Sequence, residues 1–141
     1  MKYWYFTSIN KWFTIKLPEN WSEYEDEEGT AAFFNTVKWS GNLRITPLRI
    51  GDAEIDKTPA SVSSINNDNS NAIIIKLGDW DAAFYKKESS DVCTTFYWTM
   101  GTTNFWFVCS FTIDIDFLNT EINAEELIVV EEILGSIKIL N

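Results

Sequence analysis

Histidine is absent from this 141-residue sequence, and that absence removes more chemistry than any residue present adds. Without an imidazole there is no Ser-His-Asp or Cys-His nucleophile, no histidine zinc site, and no unperturbed side chain titrating near neutrality. Cysteine is scarce too: Cys93 and Cys109 cannot build a four-cysteine site. The six glycines, at 29, 41, 51, 78, 101 and 135, fit neither a phosphate loop nor a dinucleotide fingerprint. No apolar run approaches the ~18 residues of a membrane span. The first eleven residues lack the apolar stretch and small-residue cleavage site of a secretory signal. The expectation is a non-enzymatic, cytoplasmic, single-domain protein with no cofactor and no metal.

Cations are missing from most of the second half. Between Lys87 and Lys138, fifty residues hold nine carboxylates and no Lys or Arg, and the net charge is −10. Such a chain repels phosphate backbones and anionic lipid, so nucleic acid and membrane are excluded as expected partners. A basic protein is compatible with it.

Part of that gap is architecture. From Val92 to Ile113 there is no charge of either sign. Within Asn104 to Asp116, Phe105, Phe107, Cys109, Phe111, Ile113 and Ile115 alternate with Trp106, Val108, Ser110, Thr112, Asp114 and Asp116. Period two over this length predicts a strand with one fully buried face. Its hairpin partner is Thr94 to Met100, turning at Gly101-Thr102-Thr103. Asp81 to Lys87 and Ala72 to Leu77 precede it, giving an antiparallel meander. With Met100 opposite Asn104, Cys93 faces Phe111 and Cys109 faces Thr95, so the sulfurs are diagonal neighbours and two buried, reduced thiols are expected.

The first half also reads as strands: Tyr3 to Thr7, Trp12 to Leu17, Ala31 to Trp39 and Asn42 to Ile50, the last two joined by a tight hairpin at Ser40-Gly41. Pro18 to Gly29 reads as an irregular acidic loop. Thr58-Pro59, followed by Val62 and Ile65, predicts a short helix. Asn123-Ala124-Glu125-Glu126 reads as a capping box. Leu127, Val130, Leu134 and Ile137, with Ile133, then form a helical stripe. The fold class is α+β: a largely antiparallel sheet, meander plus hairpins, packed against helices.

The segment Trp12-Phe13-Thr14-Ile15-Lys16-Leu17-Pro18-Glu19-Asn20-Trp21 resembles the opening motif of PsbP-like domains, in which F-x-I-x-L-P leads to a Trp one short turn later. Ile133-Leu134-Gly135-Ser136-Ile137 is similar to the I-L-x-S-I that closes their last helix. The resemblance implies an antiparallel sheet with helices against its faces and carries no catalytic residues. Characterised members of that fold are protein-binding accessory factors. The photosynthetic ones are exported, a feature this sequence lacks, so a bacterial member of unknown function is the closer parallel.

Candidate sites are few. Asp114 and Asp116 share one face at a strand end, where paired carboxylates can hold a hard cation, though solvated residues at a burial boundary look the same. Asp52, Glu54 and Asp56 begin like a calcium loop, but Lys57 stands where Gly is needed and Ser63 where a bidentate Glu is needed. Glu19, Glu23, Glu25, Asp26, Glu27 and Glu28 crowd six carboxylates around Tyr24 and Trp21. This segment reads either as a solvated loop or as an electrostatic landing site for a basic protein. Trp4, Trp12 and Trp21 are expected in the core. Tyr97 and Trp106 fall off the main apolar face, where they either meet the short helix or form an exposed contact patch. The function these features favour is a small acidic protein-binding domain. The alternatives are an immunity-type inhibitor of a basic toxin and a small-molecule or sugar-binding module.

Overall fold

A computed structural model describes residues 2–24, 30–51, 54–61, 71–88 and 91–140. Among the described residues, ten strands and one α-helix run in the order β1 (Tyr3–Thr7), β2 (Phe13–Pro18), β3 (Trp21–Tyr24), β4 (Ala31–Asn35), β5 (Gly41–Arg49), β6 (Ile73–Leu77), β7 (Trp80–Glu88), β8 (Cys93–Gly101), β9 (Phe105–Asp114), α1 (Glu121–Gly135) and β10 (Lys138–Ile139). Seven strands form one antiparallel sheet in the order β3-β4-β5-β9-β8-β7-β6, and β1-β2-β10 form a second.

β9 organises the larger sheet. Phe105, Phe107, Cys109, Phe111 and Ile113 are fully buried, as their period-two spacing demands. Onto this floor pack α1, through Val130, Ile133 and Leu134, and β2, through Phe13, Ile15 and Leu17. Edge-to-face ring contacts join the layers: Phe13 on Phe107 at 5.3 Å, Trp12 on Phe105 at 5.6 Å, Trp80 on Phe107 at 6.0 Å. Trp21 is buried, while Trp4 and Trp12 are half-buried at the edge of this core. The Trp4 indole donates to the Trp21 carbonyl at 3.0 Å.

The β8–β9 hairpin has a different register from the expected one. Met100 faces Phe107, and Thr102 N–H closes the turn on the Phe105 carbonyl at 2.8 Å. A shift of three residues is odd, so it exchanges the two faces of β8. Phe96, Trp98 and Met100 thereby join the buried side, worth roughly 1.5–3 kcal/mol for each large side chain. That gain outweighs the tighter turn. It also separates the cysteines: Cys93 faces Asp114 and Cys109 faces Trp98, on opposite faces and about 17 Å apart along the strand. Neither is in a disulfide; Cys109 is buried and Cys93 only half-buried.

Four further expectations change. Trp21–Tyr24 forms β3, paired with β4, within what read as an irregular loop. Ser40-Gly41 is no tight turn: β4 ends at Asn35, residues 36–40 form a loop, and Gly41 lies inside β5. A Cβ at Gly41 would come within 2.5 Å of the Thr112 carbonyl, so glycine serves close strand packing there. Pro59 forms a β-bridge to Thr102 and Ala60 N–H bonds the Gly101 carbonyl, so no helix starts at Thr58; Val62 and Ile65 lie outside the described residues. Finally, α1 begins three residues early. Thr120 is its N-cap, accepting from Asn123 N–H at 3.2 Å, so Asn123 and Glu126 are not a capping box. The antiparallel α+β class holds, with a small helical share.

Pro47 sits mid-strand in β5, opposite Phe107 and beyond the last β4 pairing at Ala31 and Ile45. A residue without an N–H is tolerated there because, among the described residues, no strand borders that edge.

The end of α1 rests directly on the β6–β7 turn. Gly78 has φ +59, and a Cβ on it would lie 2.4 Å from the Gly135 carbonyl oxygen. Gly78→Ala should therefore cost about 2–4 kcal/mol in urea unfolding, combining overpacking with left-handed backbone strain. Gly51→Ala, also at positive φ but with open space around it, should cost only about 1–2 kcal/mol. Equal losses would show that the Gly78–Gly135 contact does not seat the helix.

Candidate functional site

The register places several candidate residues on the outer face of the large sheet, opposite α1. Directly opposed residues share a face, so Tyr24, Ala32, Arg44, Ser110, Tyr97 and Tyr85 form one row across six strands. Tyr97 stacks on Tyr85 with centroids 4.9 Å apart, and burial raises the Tyr85 hydroxyl above its usual pKa. Trp106 lies on the same face between Leu48 and Gly101. Both Tyr97 and Trp106 are half-buried. Glu19 and Glu23 are exposed, whereas Glu25, Asp26, Glu27 and Glu28 lie outside the described residues.

Tyr24 leads to a feature the sequence reading missed, the loop 36–40. It is tightly held. The Asn35 side-chain oxygen accepts from Val37 N–H at 2.9 Å and Lys38 N–H at 3.0 Å. Thr36 bonds the Asn20 carbonyl through both its N–H and its hydroxyl, at 2.8 and 2.7 Å. Ser40, fully buried, donates its hydroxyl to Glu126. Yet this pinned loop presents Val37 at 73% and Trp39 at 50% exposure. Trp39 meets Phe117 edge-on at 6.4 Å and, with Tyr24, Phe34 and Asn42, lines an open hollow of about 630 Å³.

Behind the loop lies a smaller cavity, about 150 Å³, lined by Asn35, Lys38, Ile122, Glu125, Glu126 and Val129. Glu126 is 3% exposed and Asn123 4%. Glu126 Oε1 and Asn123 Oδ1 have no hydrogen-bond partner among the described residues. Burial raises the Glu126 carboxyl to about 7 against the lowering effect of the Ser40 hydrogen bonds. At the mouth, Lys38 Nζ lies 3.9 Å from Glu125, with both side chains exposed.

Other clusters are already committed. The groove of about 540 Å³ between α1, β2 and β6 contains Lys16, Lys76 and Glu131. Lys16 sits 4.2 Å over the Tyr3 ring, Lys76 pairs with Asp81 at 3.1 Å, and Glu131 accepts from the buried Trp98 indole at 3.2 Å. Asp114 and Asp116 do not pair: Asp114 accepts from Asp116 N–H at 3.0 Å and caps the 3-10 turn Ile115–Phe117. Asp56 accepts from Thr58 N–H at 2.9 Å, which lowers its pKa. Among the described residues, no three Cys, Asp or Glu side chains converge as a metal site, and no helix is long and apolar enough to cross a membrane. Burial pushes the Cys109 thiol far above its ordinary range, leaving it unreactive.

A signal for Glu126 did exist. Residues 126, 130, 133 and 137 are spaced as one helical stripe, so the glutamate stands in line with Val130, Ile133 and Ile137. Stability should report it. Between about pH 4.5 and 7 the folded state retains a proton that the unfolded chain has released, so stability falls as pH rises through this window and levels off above it. The fall is on the order of 3 kcal/mol. Glu126→Gln should flatten the profile in urea melts taken across this range; an unchanged slope would mean the carboxyl titrates normally.

Among curated proteins, none matches the chain. Several solved structures are similar to it. A crystal structure from Bacteroides thetaiotaomicron VPI-5482 shares 30% identity with a TM-score of 0.77, over 100% of this chain and 50% of that one. The chain thus spans about half the length of that relative. The solution structure of cyanobacterial PsbP (CyanoP) from Synechocystis sp. PCC 6803 aligns over 98% of this chain and 92% of its own, at 10% identity and a TM-score of 0.57. That second likeness establishes a PsbP-like fold. The family described as "Domain of unknown function (DUF3805)" matches residues 1–141, and the chain belongs to it.

Proposed function

We propose that this is a small acidic, non-catalytic protein-binding domain of the bacterial cytoplasm that docks a basic protein through loop 36–40 and the aromatic hollow beside it. The observation that carries the reading is a fixed backbone presenting apolar side chains. Val37 and Trp39 remain 73% and 50% exposed although hydrogen bonds from Asn35, Thr36 and Ser40 hold both ends of their loop. Apolar side chains on a pre-organised loop lose little further entropy on binding, which is how contact anchors gain affinity. Ile122, 42% exposed, extends the patch to the first turn of α1.

The charge reading is compatible. Tyr24, in the hollow, is flanked in sequence by Glu23 and by Glu25 to Glu28, and the net charge of −10 favours encounter with a cationic surface. The inhibitor of a basic toxin is a special case of this reading. A small-molecule site is less well supported, because Lys16, Lys76 and Glu131 of the large groove already hold partners.

Capture of host proteins on immobilised bait tests the proposal. A Val37→Ser, Trp39→Ala bait should lose its partner by tenfold or more, since anchor residues commonly carry ~2 kcal/mol. Changing Glu25, Asp26, Glu27 and Glu28 to Gln should instead weaken capture mainly at low salt. Equal retention by the wild type and the Val37/Trp39 variant, both folded by circular dichroism, would reject this surface.

A further inference from the structure

We propose that the cavity beside Glu126 receives a single organic cation, the ammonium or guanidinium group of a lysine or arginine on the basic partner. The inference rests on the protein-binding reading and specifies what that surface grips.

Donors and acceptors in the cavity do not balance. Glu126, which lines the cavity, has a buried Oε1 without a donor among the described residues; Asn123 Oδ1, one helical turn away on the same helix, is likewise buried without one. Positions i and i+3 lie on one helix face, with Cβ atoms about 5–6 Å apart. A group carrying several N–H bonds can satisfy Glu126 Oε1 from the cavity. Room exists: about 150 Å³ against the ~30 Å³ that a water molecule occupies in the liquid. Water would answer the hydrogen bonds but leave the carboxylate charge uncompensated, which is costly in a buried site. A metal ion needs more ligands than converge here.

No resident cation fills this role. Among the groups lining the cavity, the loop supplies Lys38, α1 supplies Glu125 and Glu126, and β4 supplies the uncharged Asn35. Lys38 points to Glu125 rather than Glu126, and its side chain is 67% exposed. A pair that open is worth little, so an incoming cation displaces it at small cost. The cavity and the aromatic hollow share Asn35 and lie on either side of loop 36–40. A partner segment seated on Val37 and Trp39 therefore has a basic side chain within reach of Glu126.

Proton and cation compete for the same carboxylate, which gives the site a signature that packing alone lacks. Titration of the full chain with methylammonium chloride, followed through the backbone amides of Lys38, Ser40 and Glu126, reads it directly. Saturable shifts are expected with methylammonium and not with sodium chloride at equal ionic strength or with methanol. The half-saturating concentration should fall about tenfold between about pH 6 and pH 8, and saturation should vanish in Glu126→Gln. The wild type should also release protons when methylammonium is added at about pH 6.5. Non-saturating shifts, shifts matched by sodium chloride, retention in Glu126→Gln, or no proton release would each overturn the proposal and leave a water-filled cavity. The probe has almost no apolar surface, so its failure leaves docking on Val37 and Trp39 standing. Conversely, methylammonium binding without partner capture would reject the docking reading alone.

Discussion

β9 is hydrogen-bonded on both edges, to β5 and to β8, so its side chains can be satisfied only above and below the sheet. Its inner row of three phenylalanines, Cys109 and Ile113 is too apolar to meet water, and two separate layers cover it: α1 and the small β1-β2-β10 sheet. Neither cover closes the core alone. They are tied to each other as well, through the Ser136 hydroxyl, which accepts from Lys16 N–H at 2.8 Å, and through the pairing of β10 with β2. The last residues of the chain thus complete a structure begun by the first ones.

The same strand fixes the functional surface. Gly41 is pressed against the Thr112 carbonyl of β9, and Ser40 just before it is buried against Glu126 of α1. Loop 36–40 is therefore anchored to β9 and to α1 while its outer side chains face solvent. The cost falls on Glu126, a carboxylate held in the helix stripe with one hydroxyl side chain for company. Natural cores seldom retain such a group without a compensating partner.

How much of this was readable in advance depended on periodicity. β9, the meander and the apolar stripe of α1 follow from regular spacing, and each was placed to within a few residues. The hairpin register was not legible, because the turn Gly101-Thr102-Thr103 permits more than one closure and only the burial of Trp98 and Met100 selects among them. Asn123 and Glu126 satisfied the local pattern of a cap, but Thr120 wins because the chain turns at Leu118–Asn119, with Asn119 at φ +64. Tyr24 stands out in the sequence by its acidic neighbours and lies in the hollow. Its partners Phe34 and Trp39, and the exposed Val37, were missed because a β-rich pattern absorbed them into one long strand. Loop 36–40 becomes visible only when Gly41 is seen to belong inside β5.

The central claim is that one buried face of β9 supports both covering layers, so they open together, and loop 36–40, held at its ends by side-chain hydrogen bonds, opens before them. Native-state hydrogen exchange measures this directly. The account predicts that amides of β9, of β2 and of α1 between Val130 and Leu134 exchange with a common free energy equal to that of global unfolding. The Ser40 and Gly41 amides should open at a lower free energy, and less readily below about pH 7, where Glu126 is protonated. Exchange of α1 or β2 at a free energy well below that of β9 would contradict the account, because the layers would then be separable units.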